Sequence, residues 1–273
     1  MCIRDSSIKS LALDGDENLL AGTDNGLYVY QNDKEPLQHI IHDSRNIQSL
    51  TNNIIWNIFS DQEHNIWLGT DYGISLSRYN SALQFVPISQ ITGTGDGNQF
   101  YSLFRDSKGF YWFGGTNGVI RFTHPAGNKH DAIWYRMGDK NYPLSHNRIR
   151  HIYEDREQQL WIATDGSINR YDYNTHQFVH YNIVDSTGTY NTNWAYYLFE
   201  DTDGKLWIAT CLGGIFVVDK HKLIQSAGRS YVADQNYSIH NGLSGMFINQ
   251  IVPDAEGNVC LLYTSPSPRD LST

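Results

Sequence analysis

Histidines and carboxylates are the residues of this sequence whose types could support catalysis or metal binding. The chain of 273 residues has 11 histidines, yet no H-x-H or H-E-x-x-H pattern occurs, and His176 and His180 have helical spacing within a segment typical of a strand. His146 and Glu154 are candidates for the base and acid of a lyase that acts on a macrocyclic substrate. Their separation in sequence gives no reason for them to meet. The sequence therefore predicts no catalytic residue, no metal and no cofactor.

A second set of polar and aromatic residues repeats too regularly to be catalytic. The phrases "DQEHNIWLGTDYG", "DSKGFYWFGGTNG", "DREQQLWIATDG" and "DTDGKLWIATCLGG" each place a tryptophan six residues after an aspartate, and weaker copies read "DGDENLLAGTDNG" and "DAEGNVCLL". A catalytic group is needed once per site, whereas these residues occur once per repeat, which favours a structural role. The set comprises Asp14, Asp61, Asp106, Asp155, Asp201 and Asp254, with Trp67, Trp112, Trp161 and Trp207.

The spacing of these aspartates predicts the architecture. Successive aspartates are 47, 45, 49, 46 and 53 residues apart, a period typical of an array of small modules. Each repeat reads as a short apolar strand ending at the Asp, a polar turn, a strand carrying the Trp, a Gly-containing turn and two further strands. Four antiparallel strands in about 46 residues make one propeller blade, with the Trp packed between blades. Turns every few residues leave no room for the helices of a solenoid.

The predicted fold is an all-β propeller fragment with five full blades and part of a sixth. The blades are expected at 8–46, 52–90, 98–140, 147–185, 193–237 and, incomplete, 246–259. Residues 1–6 and 260–273 fit no repeat and are interpreted as foreign or disordered ends. A seven-bladed ring would need roughly 320 residues, so an open arc that is prone to aggregate is expected.

Composition excludes several classes of partner. A net charge of −9 without any Lys/Arg-rich run argues against nucleic acid and against direct contact with an anionic membrane. Three cysteines form neither an even disulfide framework nor a C-x-x-C pair. The sequence shows no signal peptide and no apolar run of 18 residues.

The first strand of each blade is its inner strand, nearest the axis of a propeller. A ligand site is expected where the loops that enter these inner strands meet the turns between second and third strands, since both emerge on one face of a propeller. Tyr72, Asn117, Arg148 and Trp194 lie in these loops and combine aromatic surface with hydrogen-bond donors suited to a sugar ring. The alternative is that they are ordinary loop residues.

The repeat resembles the two-component regulator propeller family, whose pattern is an Asn, an Ile/Val-rich strand, an acidic pair, a Gly-containing turn, Leu-Trp-Ile-Gly-Thr, Gly-Leu and Tyr-Asp. The clearest copy is "NRIRHIYEDREQQLWIATDGSINRYDY", and the resemblance covers about 8–259. Leu20 and Cys260 replace the Trp, and Ala163 and Ala209 replace the Gly. The Asp-to-Trp spacing also resembles the Asp-box of sialidase propellers, where the Trp is one residue closer and a convergent arginine cluster would be required.

The resemblance implies a function outside the cytoplasm. Members of this family typically form the periplasmic sensor of hybrid histidine kinases, and many regulate polysaccharide use. It therefore implies a sensor of an oligosaccharide or related ligand that signals to downstream modules of the same chain, with a homodimer as a further expectation. The alternatives are a dimerisation scaffold and, less favoured, a propeller lyase or glycosidase.

Overall fold

Short antiparallel strands account for nearly all regular structure in the computed structural model, which describes residues 7–31, 36–79, 85–89, 98–123, 131–140, 143–254 and 258–263. The strands of the first half are β1 (Ile8–Leu13), β2 (Leu19–Thr23), β3 (Gly26–Tyr30), β4 (Gln38–Ile40), β5 (Ile55–Ser60), β6 (Ile66–Thr70), β7 (Gly73–Ser77), β8 (Phe85–Pro87), β9 (Phe100–Arg105), β10 (Tyr111–Gly115), β11 (Gly118–Phe122) and β12 (Ile133–Tyr135). Those of the second half are β13 (Ile149–Glu154), β14 (Leu160–Thr164), β15 (Ser167–Asp172), β16 (Gln177–Tyr181), β17 (Ile183–Val184), β18 (Ala195–Glu200), β19 (Lys205–Thr210), β20 (Ile215–Asp219), β21 (Tyr231–Val232), β22 (Gln235–Tyr237), β23 (Ile248–Pro253) and β24 (Val259–Tyr263).

These strands form the modules that the repeat predicts. Five sheets have four strands each, in the orders β1-β2-β3-β4, β5-β6-β7-β8, β9-β10-β11-β12, β13-β14-β15-β16 and β18-β19-β20-β22, and β23 pairs with β24. Sheets one to three belong to a compact unit of residues 1–135, and sheets four to six belong to a second unit of residues 136–273. The predicted all-β propeller class is confirmed by these sheets. Each sheet is one blade.

Two segments differ from the simple repeat. The fifth blade inserts a helix, α1 (Lys220–Gln225), after its third strand, and Asp219 caps it by accepting hydrogen bonds from the amides of His221 and Lys222. The segment 183–232 also holds a parallel pair, β17 with β21. The sequence does not predict this insertion, because a six-residue helix is too short to show a 3.6-residue apolar period.

The last strand extends beyond the range assigned to the sixth blade. Val259–Tyr263 pairs with Ile248–Pro253, so residues 260–263, which the sequence assigns to the tail, continue a strand. Residues 1–6 and 264–273 lie outside the described residues, and the foreign origin of the ends stays a prediction.

Each repeat aspartate builds the turn between the first two strands of its blade. Asp155 is typical: its Oδ1 accepts hydrogen bonds from the amides of Glu157 and Gln159, both at 2.9 Å. Its Oδ2 accepts the indole N–H of Trp161 at 3.0 Å. The same indole-to-carboxylate bond joins Asp61 to Trp67, Asp106 to Trp112 and Asp201 to Trp207. One carboxylate thus orders the turn and orients the ring.

The fourth position of this turn has left-handed backbone geometry. Gly109 and Gly204 occupy it with φ of 87° and 79°, whereas Gln158 has φ of 61° and His64 has the same value. A side chain disfavours this conformation by about 1 kcal/mol, because its Cβ crowds the carbonyl oxygen.

We therefore expect Gln158→Gly to raise the free energy of unfolding by about 0.5 kcal/mol, part of the relieved strain being offset by the more flexible unfolded chain. Urea denaturation followed by circular dichroism checks this. Gln158→Ala is the control, since it removes the same side chain without relieving the strain. Equal effects of the two variants would contradict the explanation.

The cores lie between adjacent blades. Trp67 is fully buried and its ring lies 5.2 Å from Tyr111 and 5.1 Å from Phe113 of the third blade. Trp161 packs in the cluster that includes Leu198 and Ile208 of the fifth blade. The large rings therefore fill the space between neighbouring sheets within each unit.

A buried cation connects the fourth and fifth blades. Lys220, at the start of α1, is 1% exposed, and its Nζ lies 2.7 Å from Glu200 Oε1, 3.4 Å from Asp155 Oδ2 and 3.4 Å from Glu157 Oε1. Burial opposes the charged form, but the adjoining carboxylates more than compensate and raise the pKa of Lys220 overall. The inserted helix thus supplies the positive charge for three carboxylates of two blades.

His151 makes a second contact between the fourth and fifth blades, where it joins their first strands, β13 and β18. Its Nδ1 accepts the amide N–H of Leu198 at 3.2 Å, and its ring stacks on Tyr197 with centroids 3.9 Å apart. Burial lowers the pKa of His151 to about 3, so the ring is neutral and able to accept this bond.

Acidification should therefore destabilise the fourth and fifth blades through His151. Between pH 6.5 and about 3 the unfolded state binds one proton more than the folded state, so stability falls as pH falls, by at most about 1.4 kcal/mol per pH unit. Urea midpoints measured from pH 7 to 5.5 check this. The variant His151→Asn keeps an acceptor but cannot titrate, and we expect a flatter pH dependence. An unchanged slope would contradict the assignment.

Candidate functional site

Every inner strand carries a β-bulge at the same position. The pairing register skips one residue, five places before the repeat aspartate, in all six blades. A bulged residue is released from the ladder and its side chain is aimed differently from its neighbours, which is common beside binding sites. The bulged residues are Lys9, Trp56, Tyr101, Arg150, Tyr196 and Asn249.

The bulged side chains contact one another from blade to blade within each unit. In the first unit, Lys9 Nζ lies 4.7 Å from the ring centroid of Trp56, which meets Tyr101 edge to face at 5.3 Å. In the second, the guanidinium of Arg150 lies 4.4 Å from the ring of Tyr196. The Tyr196 ring in turn lies 5.0 Å from the ring of Phe247, two residues before the bulged Asn249 of the sixth blade. Cation–π and edge contacts of this kind fix large rings in place.

Aspartates in the turns between second and third strands hold two of these residues. Asp71 Oδ1 accepts the indole N–H of Trp56 at 3.0 Å. Asp165 accepts two hydrogen bonds from Arg150, at 2.7 Å and 3.2 Å. Arg148 Nη1 lies 3.8 Å from Asp165 Oδ2. A paired guanidinium and carboxylate orient each other through two parallel bonds. The bulged residues are therefore positioned before any ligand arrives.

Cys211 occupies the equivalent turn of the fifth blade, where the second and fourth blades have Asp71 and Asp165. Burial raises the pKa of its thiol; the Arg150 charge acts in the opposite direction and Asp165 adds to the increase. Burial likewise raises the pKa of Tyr196. Both groups are thus neutral near pH 7, which leaves Asp165 and the two arginines as the charges of this cluster.

Trp194 has a strained backbone and an exposed side chain. Its φ is 56°, a conformation that a bulky residue rarely adopts. The conformation is held from both sides: the amide of Trp194 donates to Asp165 O, and its carbonyl accepts from the amide of Cys211, each at 3.0 Å. The side chain is 48% exposed. Strain that is maintained to display a large ring to solvent points to a binding role.

The ring of Trp194 borders an open pocket of about 310 Å³. The pocket is also lined by Tyr190, Asn193 and Leu212, the last of which is 65% exposed. No hydrogen bond joins the Asn193 side chain to any other residue within the described ranges. The pocket therefore offers aromatic and aliphatic surface with a free amide at its edge, a combination that suits a hydroxyl-rich ring.

The four predicted ligand-contact residues lie in the expected loops but in two separate groups. Tyr72, 55% exposed, and Asn117, also exposed, occupy equivalent turns of the second and third blades. Arg148 and Trp194 lie in the second unit and both contact Asp165. The structure thus brings the latter two together, and their role in binding stays a prediction.

The sequence reading missed the bulged position, although a signal was present. The residue five before the aspartate is cationic or aromatic in five of six repeats: Lys9, Trp56, Tyr101, Arg150 and Tyr196. In a regular strand this position would alternate with its neighbours, and only the bulge gives it a common orientation. Asp165 was missed for the same reason, since its partner is visible only in three dimensions.

The pair considered for lyase chemistry does not form a site. His146 precedes β13 and its Nδ1 accepts the amide of Arg148, whereas Glu154 ends β13, so roughly 17 Å of extended strand separates them. The two residues are not brought together, because the six-residue strand between them places them at opposite ends of the blade. Among the described residues, no group of three or more His, Cys, Asp or Glu side chains could hold a metal ion.

Comparison with known proteins identifies the repeat. The sequence pattern of the family described as "Two component regulator propeller" matches residues 49–72, 94–117, 143–166 and 189–211. These are two-component regulator propeller repeats. Each match runs from the loop before an inner strand to the turn after the second strand, and so contains both the bulge and the loop residues of the candidate site. No curated protein matches the chain.

The chain is similar to extracellular domains of two-component systems. It is 85% identical to the extracellular domain of a protein described as the hybrid two component system BT4673 from B. thetaiotaomicron, covering 95% of this chain and 35% of that one, with a TM-score of 0.64. The corresponding domain of BT3049 from the same organism is 23% identical over 95% of this chain and 32% of that one, with a TM-score of 0.72. The expectation of a location outside the cytoplasm is thereby confirmed. The chain spans about a third of the length of these relatives.

A propeller enzyme shares the fold alone. Virginiamycin B lyase from Staphylococcus aureus, in complex with quinupristin, is 11% identical over 96% of this chain and 79% of that one, with a TM-score of 0.66. Among the described residues of this chain, no helical segment has the length and apolar character needed to span a bilayer.

Proposed function

We propose that this chain is a ligand-sensing part of the extracytoplasmic region of a hybrid two-component regulator and that it detects an oligosaccharide or a related hydroxyl-rich ligand. The regulator propeller repeats and the 85% identity to an extracellular domain support this assignment. Because the chain spans about a third of that relative, the downstream kinase belongs to the proposal.

The observation that carries the ligand-sensing role is the exposed, backbone-strained Trp194 at the edge of an open pocket. Sugars expose apolar C–H faces that pack on an indole and hydroxyls that bond to amides and carboxylates. The adjacent pair of Arg150 and Asp165 holds the loop in place, so little ordering of the protein opposes binding.

Binding would act on signalling by favouring one arrangement of the longer protein. A ligand shifts such an equilibrium only to the extent that it binds the two arrangements with different affinity. Trp194 connects the fourth and fifth blades through its two backbone bonds, so a ligand on its ring contacts a junction between two blades that small rotations would alter.

Removal of the indole is the direct test. We expect Trp194→Ala to weaken binding of a saccharide by at least tenfold, because the stacking surface is lost, while the free energy of unfolding changes by less than about 1 kcal/mol. Isothermal calorimetry on the complete extracellular region, together with urea denaturation of the same variant, measures both. Undiminished affinity would remove Trp194 from the binding surface.

A dimerisation scaffold is the second candidate, favoured by the apolar surface of the first blade. Ile8, Leu11 and Leu13 of β1 are 47%, 57% and 56% exposed, and exposed apolar groups of this kind are common at protein interfaces. Sedimentation equilibrium of the double variant Leu11→Thr, Leu13→Thr tests it. A scaffold predicts loss of self-association, whereas the sensor alone predicts an unchanged oligomeric state.

A further inference from the structure

The pocket beside Trp194 adjoins a second, larger one. The second pocket has a volume of about 420 Å³ and is lined by Asp185, Asp234, Ser238 and His240. Thr189 and Tyr190 line both pockets. The two pockets are therefore adjacent, and together they are here called the two lobes of the Trp194 groove, with Tyr190 between them.

The middle of the groove is fixed by its own hydrogen bonds. The amide of Tyr190 donates to Asp185 Oδ1 at 2.8 Å, and the amide of Asp185 donates to Tyr190 O at 3.0 Å. The hydroxyl of Tyr190 lies 3.4 Å from His240 Nε2, on the 3-10 helix Ile239–Asn241. The half-buried tyrosine thus connects the two lobes in a defined orientation.

The far lobe is also ordered without a ligand. Ser238 caps the 3-10 helix by accepting the amide of His240, and its own amide donates to Asn241 Oδ1 at 2.6 Å. The side chain of Asn236 donates to the carbonyl of Gly213, which lines the first lobe. Both lobes are therefore built on one hydrogen-bonded framework, and a ligand can span them without ordering a loop.

The charge of the groove selects against acidic ligands. Asp185 and Asp234 line it, and no Lys or Arg lies among its described lining residues. Burial opposes ionisation of Asp185, but hydrogen bonds from Thr187 and the amide of Tyr190 hold the pKa of this carboxyl below its usual value. Uronate or sulfate groups would thus meet negative charge, whereas neutral sugar hydroxyls would meet acceptors.

We propose that the Trp194 groove binds a neutral, linear oligosaccharide, with one sugar ring stacked on Trp194 and a following ring against Tyr190 and His240. The proposal rests on the proposed sensing function and specifies its site and ligand charge. Two lobes joined through one aromatic side chain accommodate consecutive rings of a chain better than a single monosaccharide. Each additional contact adds affinity only if both lobes are occupied together.

The test uses the complete extracellular region and calorimetric titration with named saccharides. Neutral probes are cellohexaose, maltohexaose, mannohexaose and galactohexaose with their monosaccharides; acidic probes are hexagalacturonate and a heparin hexasaccharide. We expect at least one neutral hexasaccharide to bind at least tenfold more tightly than its monosaccharide and more tightly than either acidic probe. Trp194→Ala should weaken it at least tenfold and Tyr190→Ala at least fivefold.

Tyr79→Ala is the matched control, because Tyr79 is an exposed aromatic residue of the first unit, 42% exposed and outside the groove. Saccharide binding that survives both groove variants, or that is restricted to the acidic probes, would overturn the groove while leaving a sensing function in place. Failure of all probes to bind would overturn both proposals.

Discussion

Replacing Lys220 with methionine lowers the free energy of unfolding of the second unit by about 3 to 5 kcal/mol, the range expected when one partner of a buried ion cluster is removed. Methionine preserves the apolar stem but leaves Glu200, Asp155 and Glu157 without their common counter-charge. Asp155 also orders the turn that holds Trp161. The loss of stability should therefore extend to the packing between the fourth and fifth blades.

Urea denaturation, with hydrogen exchange of 195–210 to locate the effect, measures this loss. Lys222→Met is the matched control from the same helix, since Lys222 is 65% exposed and pairs only with Asp219 among the described residues; surface pairs contribute about 0 to 1 kcal/mol. Equal effects of the two substitutions would show that the cluster is hydrated.

Replacing Trp67 with alanine lowers the stability of the first unit by a similar amount, about 3 to 5 kcal/mol, because a fully buried indole leaves a cavity. Its ring contacts Tyr111 and Phe113, so the cavity opens between the second and third blades. The hydrogen bond to Asp61 is lost as well. Asp61 keeps its bonds from backbone amides, so the turn should survive.

Trp67→Phe separates the two contributions. It retains most of the buried area and removes the indole N–H, so the expected loss is about 1 to 2 kcal/mol. Trp194→Ala is the exposed counterpart and should change stability by less than about 1 kcal/mol. Thermal and urea denaturation of the three variants should therefore give three distinct values. If Trp67→Ala resembled Trp194→Ala, packing between blades would not be what holds these sheets together.

The repeat alone was sufficient to predict the blades, because the aspartate, the tryptophan and the turn between them act within a dozen residues. Asp155 bonds to Glu157, Gln159 and Trp161, all of them close in sequence. Hydrogen bonds between residues that are close in sequence require a short sequence motif, and repetition of that motif makes it easy to recognise. Helix α1 is the exception, since it interrupts a single repeat and leaves no period.

The candidate site was harder to predict from the sequence, because its contacts join different blades. The loop positions of Arg148 and Trp194 predict both residues as ligand contacts, and in the structure both contact Asp165. The spacing of the repeat does not indicate that carboxylate. Lys220 is a second case, since its partners Asp155 and Glu200 lie 65 and 20 residues earlier. Pairing over such distances is set by how blades stack, which a single blade does not encode.

The bulge in every inner strand has a consequence for how this architecture can diversify. Because the skipped residue has no ladder partner, replacing its side chain leaves the hydrogen bonds of the sheet intact. Lysine, tryptophan, tyrosine, arginine and asparagine all occupy it here on equivalent backbones. Binding specificity can therefore be changed one blade at a time while the backbone of the sheets stays the same. Grafting residues at these positions is a practical route to new specificities.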